Sequence, residues 1–186
     1  MTLSRLLLAF SSALLLQAQA PEAERRVPPK ASAEFRKSLA ALEEGKIDKA
    51  IRHLEAGLAI DPSNSDAYND LGVIYFNTKR PDKAIEAFTL MVAADPRSFR
   101  GYVNLAYAFN LQKQYPESEK AARRALEIRT AEAQAHYLLG LALSAQRKNP
   151  EEAAQHFEIA AAEFPDSRAE ASRIRTQELQ ASGKTK

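Results

Sequence analysis

Residues 68–96 read YNDLGVIYFNTKRPDKAIEAFTLMVAADP, and the spacing of the apolar and small residues in this stretch decides the fold. One helical face is formed by the residues at positions i, i+3, i+4 and i+7, which are Tyr68, Leu71, Gly72 and Tyr75. A second helical pattern carries Ala84 and Phe88 and starts at Pro81, a residue that fits the first turn of a helix without losing a hydrogen bond. The stretch therefore predicts two amphipathic helices joined by a short turn.

The same residue types return at one constant spacing on both sides of this stretch. The recurring sets, whose residue numbers differ by 34, are Leu71, Leu105 and Leu139; Gly72, Ala106 and Gly140; Tyr75, Phe109 and Leu143; and Pro62 and Pro96. A fixed period of this kind indicates stacked units in which equivalent side chains have equivalent packing partners. The sequence therefore predicts an array of helical hairpins.

This pattern resembles that of the tetratricopeptide repeat family, whose unit is a pair of helices with the same period. The unit from Tyr68 to Pro96 matches every position of the family pattern, with tyrosine where tryptophan is usual. The resemblance covers approximately the range 32–165, nearly all of the chain beyond its N-terminal segment. It implies an all-α, right-handed superhelical α-solenoid of about four helix pairs, closed by a C-terminal capping helix.

The repeat register also predicts how the chain is divided. The predicted segments are a signal peptide at 1–20, a flexible linker at 21–32, four repeat units within 33–165 (31–64, 65–98, 99–132 and 133–167), a capping helix at 166–181 and a disordered tail at 182–186. The linker is inferred from its charge and its prolines, and the capping helix from a mostly polar helical pattern that would cover the last apolar face of the array.

The segment from Met1 to Ala20 has the character of an export signal. Arg5 precedes an apolar run of eleven residues, and the segment ends in Ala18-Gln19-Ala20, a small-x-small pattern read by signal peptidase. Pro21 disfavours cleavage after Ala20, so an uncleaved segment that anchors the chain weakly is the alternative. We expect an exported, bacterial protein that is periplasmic or envelope-associated and that meets a membrane only through an uncleaved N-terminal segment.

Composition and motifs exclude several classes of function. A formal net charge of +2 gives no electrostatic attraction for nucleic acid, and the absence of cysteine removes thiolate zinc sites and cysteine nucleophiles. The chain has no glycine-rich phosphate loop, nucleophile elbow or zinc-protease motif. His53, His136 and His156 fall at repeat positions that favour packing. We therefore expect no enzymatic activity, no cofactor and no metal.

By resemblance to the family, the first helix of each pair lines a concave surface on which partners bind. The predicted partner-binding residues, which share this inner position, are Phe35, Leu39, Asn69, Val73, Phe76, Arg100, Asn104, Tyr107, Asn110, Tyr137 and Leu141. Asparagine offers both a donor and an acceptor to a partner backbone, and aromatic residues offer anchoring area. Some family members grip a C-terminal carboxylate with basic and amide residues, but Leu39 and Asp70 stand at positions that such a clamp needs.

These observations favour a scaffold that binds a peptide or helix of a partner protein in a concave groove, in the assembly of a cell-envelope complex. The alternative is a structural module that self-associates, with its groove occupied by its own terminal helix or by a second copy. Light scattering distinguishes the two, because only the second forms a tight dimer.

Overall fold

The computed structural model describes residues 27–147 and 149–181, and every regular element within these ranges is an α-helix. The helices of these ranges are α1 (Pro29–Glu43), α2 (Ile47–Ile60), α3 (Ser65–Asn77), α4 (Pro81–Ala94), α5 (Phe99–Leu111), α6 (Tyr115–Ile128), α7 (Ala133–Ala145), α8 (Pro150–Ala160) and α9 (Ser167–Ala181). The predicted signal peptide and the predicted C-terminal tail lie outside the described residues.

Consecutive helices pack in pairs, α1 with α2, α3 with α4, α5 with α6 and α7 with α8. The second helix of each pair also packs on the first helix of the next pair, and α9 packs on α8. We call α1, α3, α5 and α7 the inner layer, and α2, α4, α6 and α8 the outer layer. Contacts between α5 and α7 join members of the inner layer directly. The predicted all-α solenoid is thus confirmed.

Residues separated by one repeat period have equivalent surroundings. Leu71, Leu105 and Leu139 are all buried, and they belong to one continuous apolar core. Full burial of a leucine side chain contributes about 1.5–3 kcal/mol to the free energy of folding. Because the three leucines are buried alike, each unit gains a similar stabilisation from this position. The period therefore reports real structural equivalence.

Glycine allows two helices to cross closely inside a pair. A methyl group added at Gly72 would overlap the ring of Phe88, and one added at Gly140 would lie 3.0 Å from the ring of Phe157. Both rings are buried in the core, so a shift of either ring would disturb its packing. The small residue on the inner helix thus makes space for the aromatic residue on the outer helix.

The turn inside each pair has one residue in the left-handed region of backbone conformation. These residues are Gly45, Lys79, Lys113 and Arg147, with φ of 71°, 59°, 58° and 53°, and they occupy the same position in successive repeat units. Each pair therefore uses the same turn, although only the first has the glycine that this conformation favours.

The first helix begins earlier than predicted. Residues 29–32 were assigned to the flexible linker, but they form the first turn of α1. Pro29 is tolerated because its missing N–H would have had no partner in the first turn of a helix. Ala31 is fully buried, so packing against the array extends the helix backwards.

None of the helices in the described part of the chain is both long and apolar enough to span a membrane.

Candidate functional site

An exposed apolar row runs along the inner layer, with one residue from each helix at the repeat spacing. Its members are Leu39, Val73, Tyr107 and Leu141. The exposed fraction is 59% for Leu39, 40% for Val73 and 44% for Tyr107, whereas Leu141 is half-buried against the core. Large apolar side chains thus remain in contact with water along the face that the resemblance assigns to partners.

Aromatic contact connects this row across α3 and α5. The ring centroids of Phe76 and Tyr107 are 5.4 Å apart, and the ring planes are tilted by 45°. Pairs at this separation contribute about 0.5–1.5 kcal/mol beyond their buried area. The pair orients the Tyr107 ring in the centre of the inner layer.

A cavity of about 330 Å³ lies between α5 and α7. It is lined by Tyr107, Asn110, Leu111, Tyr115, Gln134, Tyr137, Leu138, Leu141, Ala145 and Phe164. None of these residues is ionised at neutral pH, so the cavity suits an apolar group. We call it the apolar cavity.

Phe164 is a part of this cavity that sequence reasoning missed. Its ring stacks on Tyr137 with a centroid separation of 5.1 Å and an interplanar angle of 18°. The sequence does indicate that this position differs between units. The residue before the proline that ends a unit is Asp61 in the first unit and Asp95 in the second, but it is Phe164 in the fourth. An aromatic residue thus replaces a carboxylate at the junction after the fourth pair.

Asn69 was predicted to contact a partner, but the structure places its side chain inside the array. Asn69 is buried, and its Oδ1 accepts a hydrogen bond of 3.0 Å from Nδ2 of Asn104. Its own Nδ2 donates to Asp70 Oδ1 at 3.4 Å. The amide is used to join α3 to α5, because a buried polar group needs a partner inside the protein.

Asn110 lines the apolar cavity and is only partly satisfied. Its Nδ2 donates to the carbonyl oxygen of Leu138 at 3.1 Å. Its Oδ1 is buried and has no hydrogen-bond partner among the residues that the structure describes. An unmade bond of this kind costs about 1–3 kcal/mol.

The other end of the inner layer has a smaller cavity of about 210 Å³ between α1 and α3. It is lined by Phe35, Ser38, Leu39, Leu42, Leu54, Asn64, Asp66, Ala67 and Asp70. Phe35 is half-buried and also packs on Gly57 of α2, so it serves the core as well as this surface. We call this the acidic cavity, because Asp66 and Asp70 are its ionisable residues.

Asp70 is exposed to solvent, but partial desolvation by the neighbouring helices raises its pKa, and the charge of Asp66 raises it further. The hydrogen bond from Asn69 and the charge of Arg100 lower the pKa, but the raising influences prevail. Arg100 is exposed at the start of α5. Asp70 is thus an exposed carboxylate on the inner layer, at one of the positions that a carboxylate clamp would need for a basic or amide group.

The structure separates the remaining predicted site residues into two groups. Val73, Phe76, Tyr107, Asn110, Tyr137 and Leu141 form the aromatic and apolar centre and its far end, whereas Phe35 and Leu39 line the acidic cavity. Asn104 and Arg100 lie between the groups on α5. The site is therefore an elongated surface with two ends of different character.

The histidines form contacts within helix pairs. His53 Nδ1 lies 2.7 Å from Glu34 Oε2, and His136 Nδ1 lies 2.8 Å from His156 Nδ1. No group of three or more metal-binding side chains occurs in the ranges 27–147 and 149–181.

Two family models, both described as tetratricopeptide repeat, match residues 41–106 and 112–168. The chain is 32% identical over 125 residues to the type IV pilus assembly protein PilF of Pseudomonas aeruginosa. That match covers 64% of this chain and 48% of PilF. The chain spans less than half of the length of each curated relative that it matches.

Solved structures share the fold. A P. aeruginosa PilF structure matches with a TM-score of 0.64 and 25% identity, over 81% of this chain and 70% of that one. MamA matches with a TM-score of 0.68 and 24% identity, over 81% and 91%. The first tetratricopeptide domain of Spaghetti (RPAP3), bound to an HSP90 peptide, matches with a TM-score of 0.57 and 24% identity, over 64% and 94%.

Proposed function

Because the chain belongs to the tetratricopeptide repeat family, we propose that it is an interaction module that binds a peptide or helix of a partner protein along its inner layer. The observation that carries the proposal is the exposed apolar row centred on Tyr107. Leu39, Val73 and Tyr107 remain 40–59% exposed although neighbouring residues of the same helices are buried. Contiguous exposed apolar surface with polar surroundings is typical of a protein-binding site.

The elongated shape of the surface favours a segment of a partner over a small molecule. The apolar row extends over four helices, and the two cavities lie at its two ends. The RPAP3 domain holds an HSP90 peptide in its structure, which supports a peptide as the ligand class for this fold. Leu39 and Asp70 occupy positions where a clamp for a C-terminal carboxylate would need basic or amide groups. We therefore expect the inner layer to contact the partner along the length of its segment, and not at a terminal carboxylate.

We further propose that the protein is exported and that its partner belongs to an assembly of the cell envelope. The export pattern in residues 1–20 motivates this part, and the similarity to a pilus assembly protein supports it. A complex related to pilus assembly is the first candidate. N-terminal sequencing of the protein isolated from the periplasm tests export, and exclusive recovery of unprocessed chain from the cytosol would contradict it.

Self-association is the second candidate, because a second copy would also cover the exposed apolar row. In the structure α9 packs on α8 and continues the array, so the terminal helix does not fill the groove. Light scattering at several concentrations decides the rest. A concentration-independent monomer supports binding of another protein, and a tight dimer that Tyr107→Ala dissociates supports a second copy.

Photocrosslinking in cells tests the main proposal. A benzophenone amino acid replaces Tyr107 in the inner layer or, as a matched control, Leu90 in the outer layer, which has 42% exposure against 44%. We expect a discrete adduct from position 107 that Val73→Glu removes, and none from position 90. Equal adducts from both positions, or an adduct unaffected by Val73→Glu, would contradict a partner site on the inner layer.

A further inference from the structure

The two ends of the inner layer differ in the side chain that each would accept. The apolar cavity measures about 330 Å³, and its walls include the rings of Tyr107, Tyr137 and Phe164. Since no ionised group is among its lining residues, a charged side chain entering it would lose hydration without compensation. An aromatic or branched aliphatic side chain fits its size and its chemistry.

The acidic cavity has the opposite chemistry at its rim. Asp66 and Asp70 lie one turn apart on α3, where like charges destabilise a helix. Both carboxylates are exposed and neither forms a salt bridge within the described ranges, and the charge of Arg100 does not prevent a rise in the pKa of Asp70. The described residues that line this cavity include no lysine, arginine or histidine. A cation from outside would relieve this repulsion.

The walls of the acidic cavity specify the shape of that cation. Phe35, Leu42 and Leu54 form apolar surface beside the carboxylates. Lysine and arginine bury their aliphatic stems on such surface while the charged end remains near water. A basic side chain on a polypeptide therefore satisfies both parts of this cavity.

Resting on the interaction function proposed above, we infer that the partner segment combines an apolar anchor with a basic residue. An aromatic or branched aliphatic side chain enters the apolar cavity, and a lysine or arginine reaches Asp66 and Asp70. One inner helix, α5, lies between α3 and α7, so the two ends are about 20 Å apart, given a spacing of roughly 10 Å between packed helices. An extended segment covers that distance in about six residues.

A random twelve-residue peptide library displayed on phage, selected on the full chain, tests this inference. We expect the enriched sequences to carry an aromatic or branched aliphatic residue and a lysine or arginine about five to seven positions apart. A synthetic enriched peptide should bind the Asp66→Asn/Asp70→Asn variant at least tenfold more weakly and with reduced dependence on salt concentration. The control Glu86→Gln/Glu117→Gln removes two exposed carboxylates from the outer layer and should leave the affinity unchanged.

The outcomes separate this inference from the proposed function. Enriched peptides that compete for the inner layer, lose affinity with Val73→Glu and lack basic residues would overturn the basic-residue requirement alone. Basic peptides that lose affinity equally with both carboxylate variants would also overturn it, since they would report general charge attraction. Failure of every peptide to respond to Val73→Glu would contradict the proposed function itself.

Discussion

His136 and His156 form a hydrogen-bonded, stacked pair between α7 and α8, with their Nδ1 atoms 2.8 Å apart and their ring centroids 5.0 Å apart. His136 Nε2 lies 2.9 Å from the carbonyl oxygen of Thr130, which can only accept, so this nitrogen carries a proton. In the neutral ring, His136 Nδ1 then accepts a hydrogen bond from His156 Nδ1–H. Both ring nitrogens of His136 thus have hydrogen-bond partners when the two rings are neutral.

This pair predicts lower stability in mild acid. Burial, followed by the charge of His136 and that of Arg123, lowers the pKa of His156, and Glu152 opposes the change. Because the unfolded chain binds the proton more readily, the stabilisation is fully present above the unfolded pKa of about 6.5 and is lost as the pH falls through the lowered value. Urea unfolding between pH 7.5 and 5 should show a fall in the free energy of unfolding that is smaller for His156→Gln. Equal curves for His156→Gln and the parent chain would refute the explanation.

The contact of Gly72 with Phe88 predicts overpacking. Gly72→Ala should destabilise the chain by about 1–3 kcal/mol, because a methyl group would shift the buried ring and disturb its packing. The repeat equivalents of Gly72 and Phe88 in the third pair are Ala106 and Ala122, so there an alanine on the inner helix occurs together with an alanine in place of the ring. The double variant Gly72→Ala/Phe88→Ala should therefore lose less stability than the sum of the single variants, by at least about 0.5 kcal/mol in a double-mutant cycle. Additive effects in urea unfolding would show that the two residues are not coupled.

The left-handed turns predict opposite effects of two substitutions. Lys113→Gly should stabilise the chain by about 0.5–1 kcal/mol, because glycine adopts a φ of 58° without the strain that a side chain causes. Gly45→Lys should destabilise it by a similar amount through backbone strain at a φ of 71°. No steric clash adds to this strain, because nothing lies near Gly45 that a side chain would strike. Thermal unfolding followed by circular dichroism measures both changes. Shifts of the same sign would mean that backbone strain is not the deciding factor.

Tyr107 should affect binding more than folding. Tyr107→Ala removes a half-exposed ring paired with Phe76, so we expect a loss of stability of about 0.5–1.5 kcal/mol. Loss of a central aromatic anchor should weaken partner binding by about 2 kcal/mol, roughly 30-fold. Titration with the crosslinked partner or an enriched peptide measures the affinity. Leu90→Ala, with similar exposure in the outer layer, should leave the affinity unchanged, and an equal loss for both variants would argue against an inner-layer site.

The candidate site could be predicted only in part. Val73 and Tyr107 were identified because repeat position alone places them on the inner layer. Asn69 was assigned to the partner surface although it is buried, because repeat position does not tell whether a neighbouring amide, here that of Asn104, will form a hydrogen bond with it. Phe164 was missed for a related reason, because its position depends on a ring contact with Tyr137, which belongs to a different element.

The sequence by itself determined the stacked helix pairs, because the constant repeat period produces the same apolar contacts in each unit. Since these contacts are repeated, one alignment of neighbouring pairs is favoured over the others. Leu71, Leu105 and Leu139 show this, since each is buried in the same way. Only the tertiary structure decided which inner side chains remain available and what each end of the surface attracts. Availability depends on single contacts between helices, such as that of Asn69 with Asn104, and the attraction of the acidic cavity depends on the charges around Asp70. Neither follows the repeat.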